Sequence, residues 1–203
     1  MLNTFHAKRN PTNQSNRIAS NFLQPKNPAN LVKFTSTLIQ LYETDVWYAG
    51  LHVPRAIAER FITEGANKYR VWLTLQETER WQCALMPQGN GDYFININKQ
   101  IRERLDLAEN QEVTAELEKD TTEYGMPLPD ELAELFAVDP EGSKIFHALT
   151  PGRMRALIYR VSKPKGMDTR IRHAVTILEY LKSTGGKLDF KELNQAYSER
   201  WYT

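Results

Sequence analysis

The chain has 203 residues, of which 41% are hydrophobic, and its 26 lysine and arginine and 25 aspartate and glutamate side chains give a formal net charge of +1. This composition is ordinary for a globular protein of one large domain, or of one domain with a small helical module. No stretch approaches the roughly 18 apolar residues that span a bilayer, and the first 21 residues lack the apolar core of a secretory signal. The only cysteine, Cys83, excludes an intramolecular disulfide.

Basic and acidic side chains are segregated along the chain. Residues 1–30 carry four basic and no acidic side chains, and residues 31–149 carry 11 basic and 20 acidic ones. Residues 150–187 carry nine basic and two acidic ones. Such asymmetry indicates contacts between domains or with a charged partner.

The chain begins with a segment that has no apolar periodicity. Residues 1–30 contain seven asparagines and three prolines, which predicts a flexible tail. From Leu31 apolar and polar residues alternate in short segments, as they do in half-buried strands. The alternation predicts six strands, at 31–43, 46–53, 68–75, 81–87, 92–98 and 112–120, with short helices at 54–62 and 99–105. Many short strands at this spacing predict a small barrel or sandwich at 31–124, with Cys83 buried in a strand.

The residues from 125 to 203 are predicted to form a helical region. Helices are expected at 128–139 and 140–149, divided at Pro140, and at 150–163, 168–184 and 191–201. Thr150 and Asp168 are the candidate N-caps of the two central helices, and Gly185-Gly186 ends the second. Apolar residues recur at helical spacing on each, including Ile171 at the start of the second stripe.

The two central helices carry a concentration of basic residues. The candidate anion-binding or partner-binding residues are Arg153, Arg155, Arg160, Lys163, Lys165, Thr169, Arg170, Arg172 and His173. Two helices joined by a short turn, with basic residues at the start of the second, have the outline of a helix-turn-helix. The same residues could instead dock on the acidic barrel or form a solvated face, and the sequence leaves these alternatives open.

Other kinds of site are weakly supported. The four histidines have no partner at metal-ligand spacing, no nucleophile motif is present, and the carboxylates of 103–123 are expected to face water. Arg70, Trp72 and Trp81 form a candidate aromatic pocket for a small ligand, although core packing is the better default for the tryptophans. We expect no metal and no cofactor.

Several motifs together resemble known families. The segment 69–105 contains YRVWL, WQCALMP and GNGDYFININKQIR, and MPLPDEL, Asp139-Pro140, Phe146 and Leu149 follow. This set resembles a bacterial family of small barrels known as a domain of unknown function. Residues 149–175 resemble the bacteriocin-protection, YdeI or OmpD-associated family. The matching positions are Pro151, Arg155, Lys165, Thr169 and Arg170, and the chain departs from the pattern at Pro164, where alanine is usual, and at His173, where arginine is.

The resemblance covers roughly 31–182 and implies both a fold and a broad role. The implied fold is a double-split β-barrel with short capping helices, similar to the barrels of transition-state regulators and antitoxins, followed by a C-terminal helical region. The implied role is in envelope stress and tolerance of antimicrobial peptides, with no established activity.

The sequence and the resemblance together lead to one main expectation. We expect a non-enzymatic, soluble, cytoplasmic binding protein that uses helices 150–163 and 168–184 to contact an anionic or protein partner. On this hypothesis, replacing Arg155 and Arg170 by alanine weakens partner binding without lowering thermal stability. One alternative is a DNA-binding regulator acting as a homodimer, and another is a small-ligand carrier or enzyme that uses the aromatic pocket.

Overall fold

A computed structural model of the chain describes residues 31–41 and 49–199. The described residues divide into two compact units. The first contains residues 31–41, 49–62 and 69–120, and the second contains residues 63–68 and 121–199. The tail predicted at 1–30 and the first residues of the strand predicted at 46–53 lie outside the described part of the chain.

The first unit is built on one antiparallel sheet. Its strands are β1 (Leu31–Gln40), β2 (Ala49–Val53), β3 (Arg70–Leu75), β4 (Glu79–Ala84), β5 (Met86–Pro87), β6 (Tyr93–Ile97) and β7 (Glu112–Lys119). They pair in the order β4-β3-β7-β1-β2-β6-β5. Two short helices, α1 (Arg55–Ala58) and α2 (Lys99–Arg104), accompany the sheet. The predicted strands and short helices are therefore present, with 81–87 divided into two strands.

The sheet is curled, and two of its segments are each divided along their length between different partners. β1 pairs with β7 from Leu31 to Thr37 and with β2 from Leu38 to Gln40. The segment 79–87 supplies β4 at one edge and β5 at the other, and β4 also approaches β6. The result is a barrel-like sheet, as the spacing of short strands predicted.

The concave side of the sheet holds an apolar core. Val71, Leu73 and Leu75 of β3 are fully buried, because alternate residues of the strand point to the same face. Cys83 lies in this core, donates its S–H to the carbonyl oxygen of Val71 at 3.7 Å, and has its pKa raised by burial to about 12. The prediction that Cys83 is buried in a strand is confirmed. A buried thiol with a raised pKa is expected to be unreactive.

The second unit consists of helices. In the described residues these are α3 (Asp130–Val138), α4 (Pro140–His147), α5 (Pro151–Ser162), α6 (Met167–Ser183) and α7 (Phe190–Glu199). The predicted division at Pro140 is confirmed. Asp139 caps α4 by accepting a hydrogen bond from the N–H of Gly142 at 2.9 Å, and Pro140 occupies the first turn, where no N–H is needed.

Helix α6 is the centre of this unit and contacts α3, α4, α5 and α7. Its buried residues include Ala174, Ile177, Leu178 and Leu181. Gly185 and Gly186, both at positive φ, end the helix as predicted, because their N–H groups reach back to the carbonyls of Lys182 and Leu181. Ile171 departs from the predicted buried stripe, since 43% of it is exposed.

Candidate anion-binding surface

The two basic helices, α5 and α6, each begin after an N-cap residue with extended backbone. Thr150 has extended backbone and its carbonyl accepts from the N–H of Met154, so it is the N-cap of α5 as predicted, although its side chain makes no capping bond. The N-cap of helix α6 is Gly166, two residues before the predicted one. The prediction of Asp168 as N-cap is wrong because Asp168 already has helical backbone. It lies in the first turn, where its charge still favours the helix dipole.

Arg170 is held by contacts within the second unit. Its Nη2 and Nε atoms lie 2.6 and 2.7 Å from Oε1 of Glu131 in α3, and the two side chains are only 13% and 8% exposed. Its Nη1 atom also donates to the backbone oxygens of Pro164 (3.4 Å) and Lys165 (3.0 Å). Arg170 therefore fastens the turn between α5 and α6 to α3, and its guanidinium is largely occupied.

Arg155 is likewise engaged within the unit. Its Nη1 atom donates to the backbone oxygen of Ala66 at 3.3 Å and lies 3.5 Å from both Oδ1 of Asn67 and the backbone oxygen of Tyr124. Asn67 in turn donates to the backbone oxygen of Thr122. These contacts explain why residues 63–68 belong to the helical unit although they lie between strands in the sequence.

Arg160 and His173 face helix α7. Arg160 donates to Oδ1 of Asn194 at 2.7 Å, and its guanidinium carbon lies 4.9 Å from the ring centroid of Phe190. His173 stacks on Tyr197 with the ring centroids 4.4 Å apart, and its Nδ1 donates to the backbone oxygen of Arg160 at 3.0 Å. Both residues thus join α5 and α6 to α7.

The remaining candidates lie closer to the solvent. Arg153, Lys163, Lys165 and Arg172 are exposed, and Thr169 is half-buried. Arg172 donates from Nε to the backbone oxygen of Asp168 at 3.3 Å. The candidates other than Thr169 therefore separate into a group that holds the fold and a group of exposed cations.

The structure does not bring the three residues of the candidate aromatic pocket to one face. In the register of β3 and β4, Trp72 lies opposite Gln82 and Leu73 lies opposite Trp81. Because neighbouring residues of a strand point to opposite faces, Trp72 and Trp81 are on different sides of the sheet. Arg70 shares the face of Trp72, whereas Trp81 packs against the apolar core.

The face that carries Trp72 was expected to present its carboxylates to water, and for the end of β7 this expectation is wrong. Glu116, Glu118 and Asp120 are buried. Nη2 of Arg80 lies 2.7 Å from Oε2 of Glu118, and the guanidinium of Arg80 lies 4.5 Å from the ring centroid of Trp72. The guanidinium of Arg80 thus pairs with a buried carboxylate and packs on an aromatic ring of the same face.

The described residues contain neither a candidate metal site nor a candidate membrane-spanning helix. Within residues 31–41 and 49–199, no three histidine, cysteine or carboxylate residues lie together as metal ligands would. No helix in the same residues is long and apolar enough to cross a membrane.

Comparison with known families divides the chain in the same place as the fold. Residues 34–117 match the Domain of unknown function (DUF1905), and residues 126–183 match the family described as Bacteriocin-protection, YdeI or OmpD-Associated. The chain is therefore similar to the first family over most of the sheet unit and to the second over most of the helical unit. Comparison with curated proteins and with solved structures gave no match.

Residues that carry the resemblance to the second family have structural roles in the helical unit. Phe146 is fully buried and Leu149 nearly so in the helical core. At the two departures from the family pattern, the backbone oxygen of Pro164 accepts from Arg170 and the ring of His173 stacks on Tyr197. Both departures are therefore accommodated by contacts inside the domain.

Sequence reasoning missed the partners that engage the arginines. Glu131 is one residue of an acidic stretch at the start of α3, and nothing in its spacing from Arg170 marks the pair, because the two are 39 residues apart. It also missed the pair formed by Tyr124 and His147, whose Oη and Nε2 atoms lie 2.7 Å apart. Nδ1 of His147 donates to the backbone oxygen of Ser143, 2.6 Å away, because a carbonyl oxygen can only accept.

Proposed function

We propose that the protein is a non-enzymatic cytoplasmic binding protein of stress or bacteriocin tolerance, and that exposed cations of α5 and α6 contact an anionic partner. The family description supports the broad role. The observation that carries the proposal is the separation of the basic residues. Arg155, Arg160 and Arg170 are engaged inside the helical unit, while Arg153, Lys163 and Lys165 remain exposed.

The proposal changes which substitutions test it. Replacing Arg155 and Arg170 removes contacts that hold residues 63–68 and α3, so a loss of binding in that variant would not separate recognition from folding. Substitution of the exposed cations avoids this problem, because exposed side chains contribute little to stability.

The test is retention on a heparin column, which presents a general polyanion. The variant Arg153→Gln/Lys163→Gln/Lys165→Gln is expected to elute at lower salt than the wild type, because fewer counterions are released on binding. The control Lys144→Gln/Lys187→Gln/Lys191→Gln removes the same charge from other exposed positions of the second unit. Equal elution of the two variants, or a wild type that is not retained, contradicts the proposal.

A DNA-binding regulator is the second candidate, favoured by two helices joined by a turn of four residues. Against it, Arg170 and His173 at the start of α6 already contact Glu131 and Tyr197. This candidate requires a dimer and an affinity for duplex DNA whose logarithm falls linearly with the logarithm of salt concentration. Fluorescence anisotropy with labelled duplex DNA and RNA, at low and physiological salt, checks the second requirement.

We also propose that the curled sheet is part of the double-split barrel that the resemblance implies. The segment 79–87 supports this proposal because it contributes a strand to each edge of the sheet. A small-ligand site on the face of Arg70 and Trp72 remains a weaker prediction, and Trp81 takes no part in it.

A further inference from the structure

Exposed apolar side chains and exposed cations occur together where α5 joins α6. Met167 is 59% exposed and Ile171 is 43% exposed. Lys163, Lys165 and Arg172, which flank them in the sequence, are exposed as well. We call these five residues the turn surface.

The apolar part of the turn surface is the uncovered end of a helix stripe. Met167 and Ile171 are four residues apart and so lie on one face of α6. The stripe continues with Ala174 and Leu178, which are each only 1% exposed. The stripe is therefore buried from Ala174 onward and exposed over the one to two helical turns before it. Its exposed end follows Lys163 and Lys165 in the sequence.

The turn that carries the lysines is held in one conformation. Arg170 donates to the backbone oxygens of Pro164 and Lys165 and is itself fixed by Glu131. Within the stretch 163–172 the only carboxylate is that of Asp168, against four basic side chains, so the stretch has an excess of cations. The turn surface is thus presented by a rigid part of the domain, which lowers the entropic cost of binding.

We propose that the turn surface docks on the anionic face of a lipid bilayer, a partner class that rests on the proposed function of the exposed cations. Lysine and arginine side chains are attracted to anionic headgroups, and adjacent apolar side chains gain by entering the boundary between headgroups and acyl chains. A nucleic acid would use the cations, but its phosphate backbone offers nothing to Met167 and Ile171. The combination of charges with an uncovered apolar stripe fits the bilayer better.

The first experiment is sedimentation of the full chain with vesicles of phosphatidylcholine alone or mixed with phosphatidylglycerol. Binding is expected only to the mixed vesicles and to weaken with salt. Lys163→Gln/Lys165→Gln is expected to lower the partition coefficient about 25-fold, from about fivefold for each lysine near an anionic surface. The control Lys144→Gln/Lys187→Gln is expected to leave it near the wild-type value.

The apolar contribution is tested separately with Met167→Ser/Ile171→Ser. This variant keeps every charge, so a purely electrostatic contact predicts unchanged vesicle binding, whereas the proposal predicts a clear loss. Its thermal stability should match that of the wild type, because both side chains are exposed. Unchanged vesicle binding in this variant overturns the proposal.

A site-specific label gives an independent reading. The native thiol of Cys83 is buried with a raised pKa and is not expected to react, so Met167→Cys can be labelled alone with an environment-sensitive fluorophore. A blue shift on mixed vesicles is expected at this position and not for the label at Lys187→Cys, whereas equal shifts or no shift count against the proposal. Retention on heparin without any vesicle binding overturns the membrane partner alone, and loss of both overturns the proposed function as well.

Discussion

Arg80 in the sheet and Lys163 in the helical unit are both cations at or next to the end of a predicted element, yet their surroundings differ. The side chain of Arg80 is 4% exposed and is paired with Glu118 beneath Trp72. Lys163 is exposed at the end of α5. Periodicity determines which face a side chain occupies, but it does not determine whether that face meets water.

The difference follows from the geometry of the two elements. Arg80 lies on the edge strand β4, and its long side chain reaches across the sheet to the tryptophan of β3 and to a carboxylate of β7, the strand beyond it. A residue at the end of a helix has few neighbours, and a lysine there extends into solvent. Three substitutions test this contrast, from the most buried charge to the most exposed pair.

The largest effect is expected for Arg80→Ala. Removing the guanidinium leaves Glu118 buried without this partner, which costs about 3–5 kcal/mol in the free energy of unfolding. Urea unfolding followed by the fluorescence of Trp72 and Trp81 measures the loss in the first unit. The control Lys163→Ala is expected to change the free energy of unfolding by less than about 0.5 kcal/mol.

A double substitution separates the charge from the space that it fills. Arg80→Met/Glu118→Leu replaces the ion pair with apolar groups of similar length and should recover most of the loss, as apolar replacements of buried pairs often do. If Arg80→Ala itself costs less than about 1 kcal/mol, the face of the sheet that carries Trp72 is open to water. The contrast with Lys163 would then disappear.

An intermediate effect is expected for Arg170→Ala. Charge-assisted hydrogen bonds are each worth about 1.5–3 kcal/mol, and this variant loses the pair with Glu131 together with the bonds to the turn. We therefore expect the free energy of unfolding to fall by about 2–3 kcal/mol. Urea unfolding monitored by far-ultraviolet circular dichroism measures this loss. Lys165→Ala, in the same turn, should stay close to the wild type, and equal effects of the two would show that burial does not distinguish them.

Much of the fold could be predicted from the sequence. The alternation at 68–75 and 92–98 and the helix signals at Pro140, Pro151 and Gly185-Gly186 are local, because each depends on the residues of its own element. The structure has strands and helix ends at these places. The start of α6 was placed too late because aspartate is a common N-cap, whereas glycine at 166 has the extended backbone that this position requires.

The candidate site could be predicted only in part, since its division into two groups depends on distant residues. The cluster 153–173 is visible in the composition of one segment. Which of its arginines is engaged depends on Glu131, Asn194 and Ala66, which are 34 to 89 residues away in the chain. Spacing in the sequence carries no signal for such contacts. The sequence alone therefore could not show that Arg155 and Arg170 are engaged inside the helical unit.

The smallest effect is expected for the half-buried pair formed by Asp139 and Lys182, whose Oδ2 and Nζ atoms lie 2.7 Å apart. The hydrogen bond from Lys182, with a further one from the N–H of Gly142, holds the pKa of Asp139 below its usual value of 3.8. A carboxylate with a lowered folded-state pKa adds stability above its unfolded pKa, and this stability is lost as pH falls through the folded pKa.

Asp139→Asn isolates the charge, because asparagine can still cap α4. The wild type should be more stable than the variant by about 0.5–1 kcal/mol near neutral pH, because solvent still screens a pair that is only half-buried. Urea unfolding at a series of pH values should show this difference shrink below about pH 5 and vanish once Asp139 is protonated in the folded state. A difference that persists in strong acid would mean that the geometry of the cap, and not its charge, makes Asp139 the better residue.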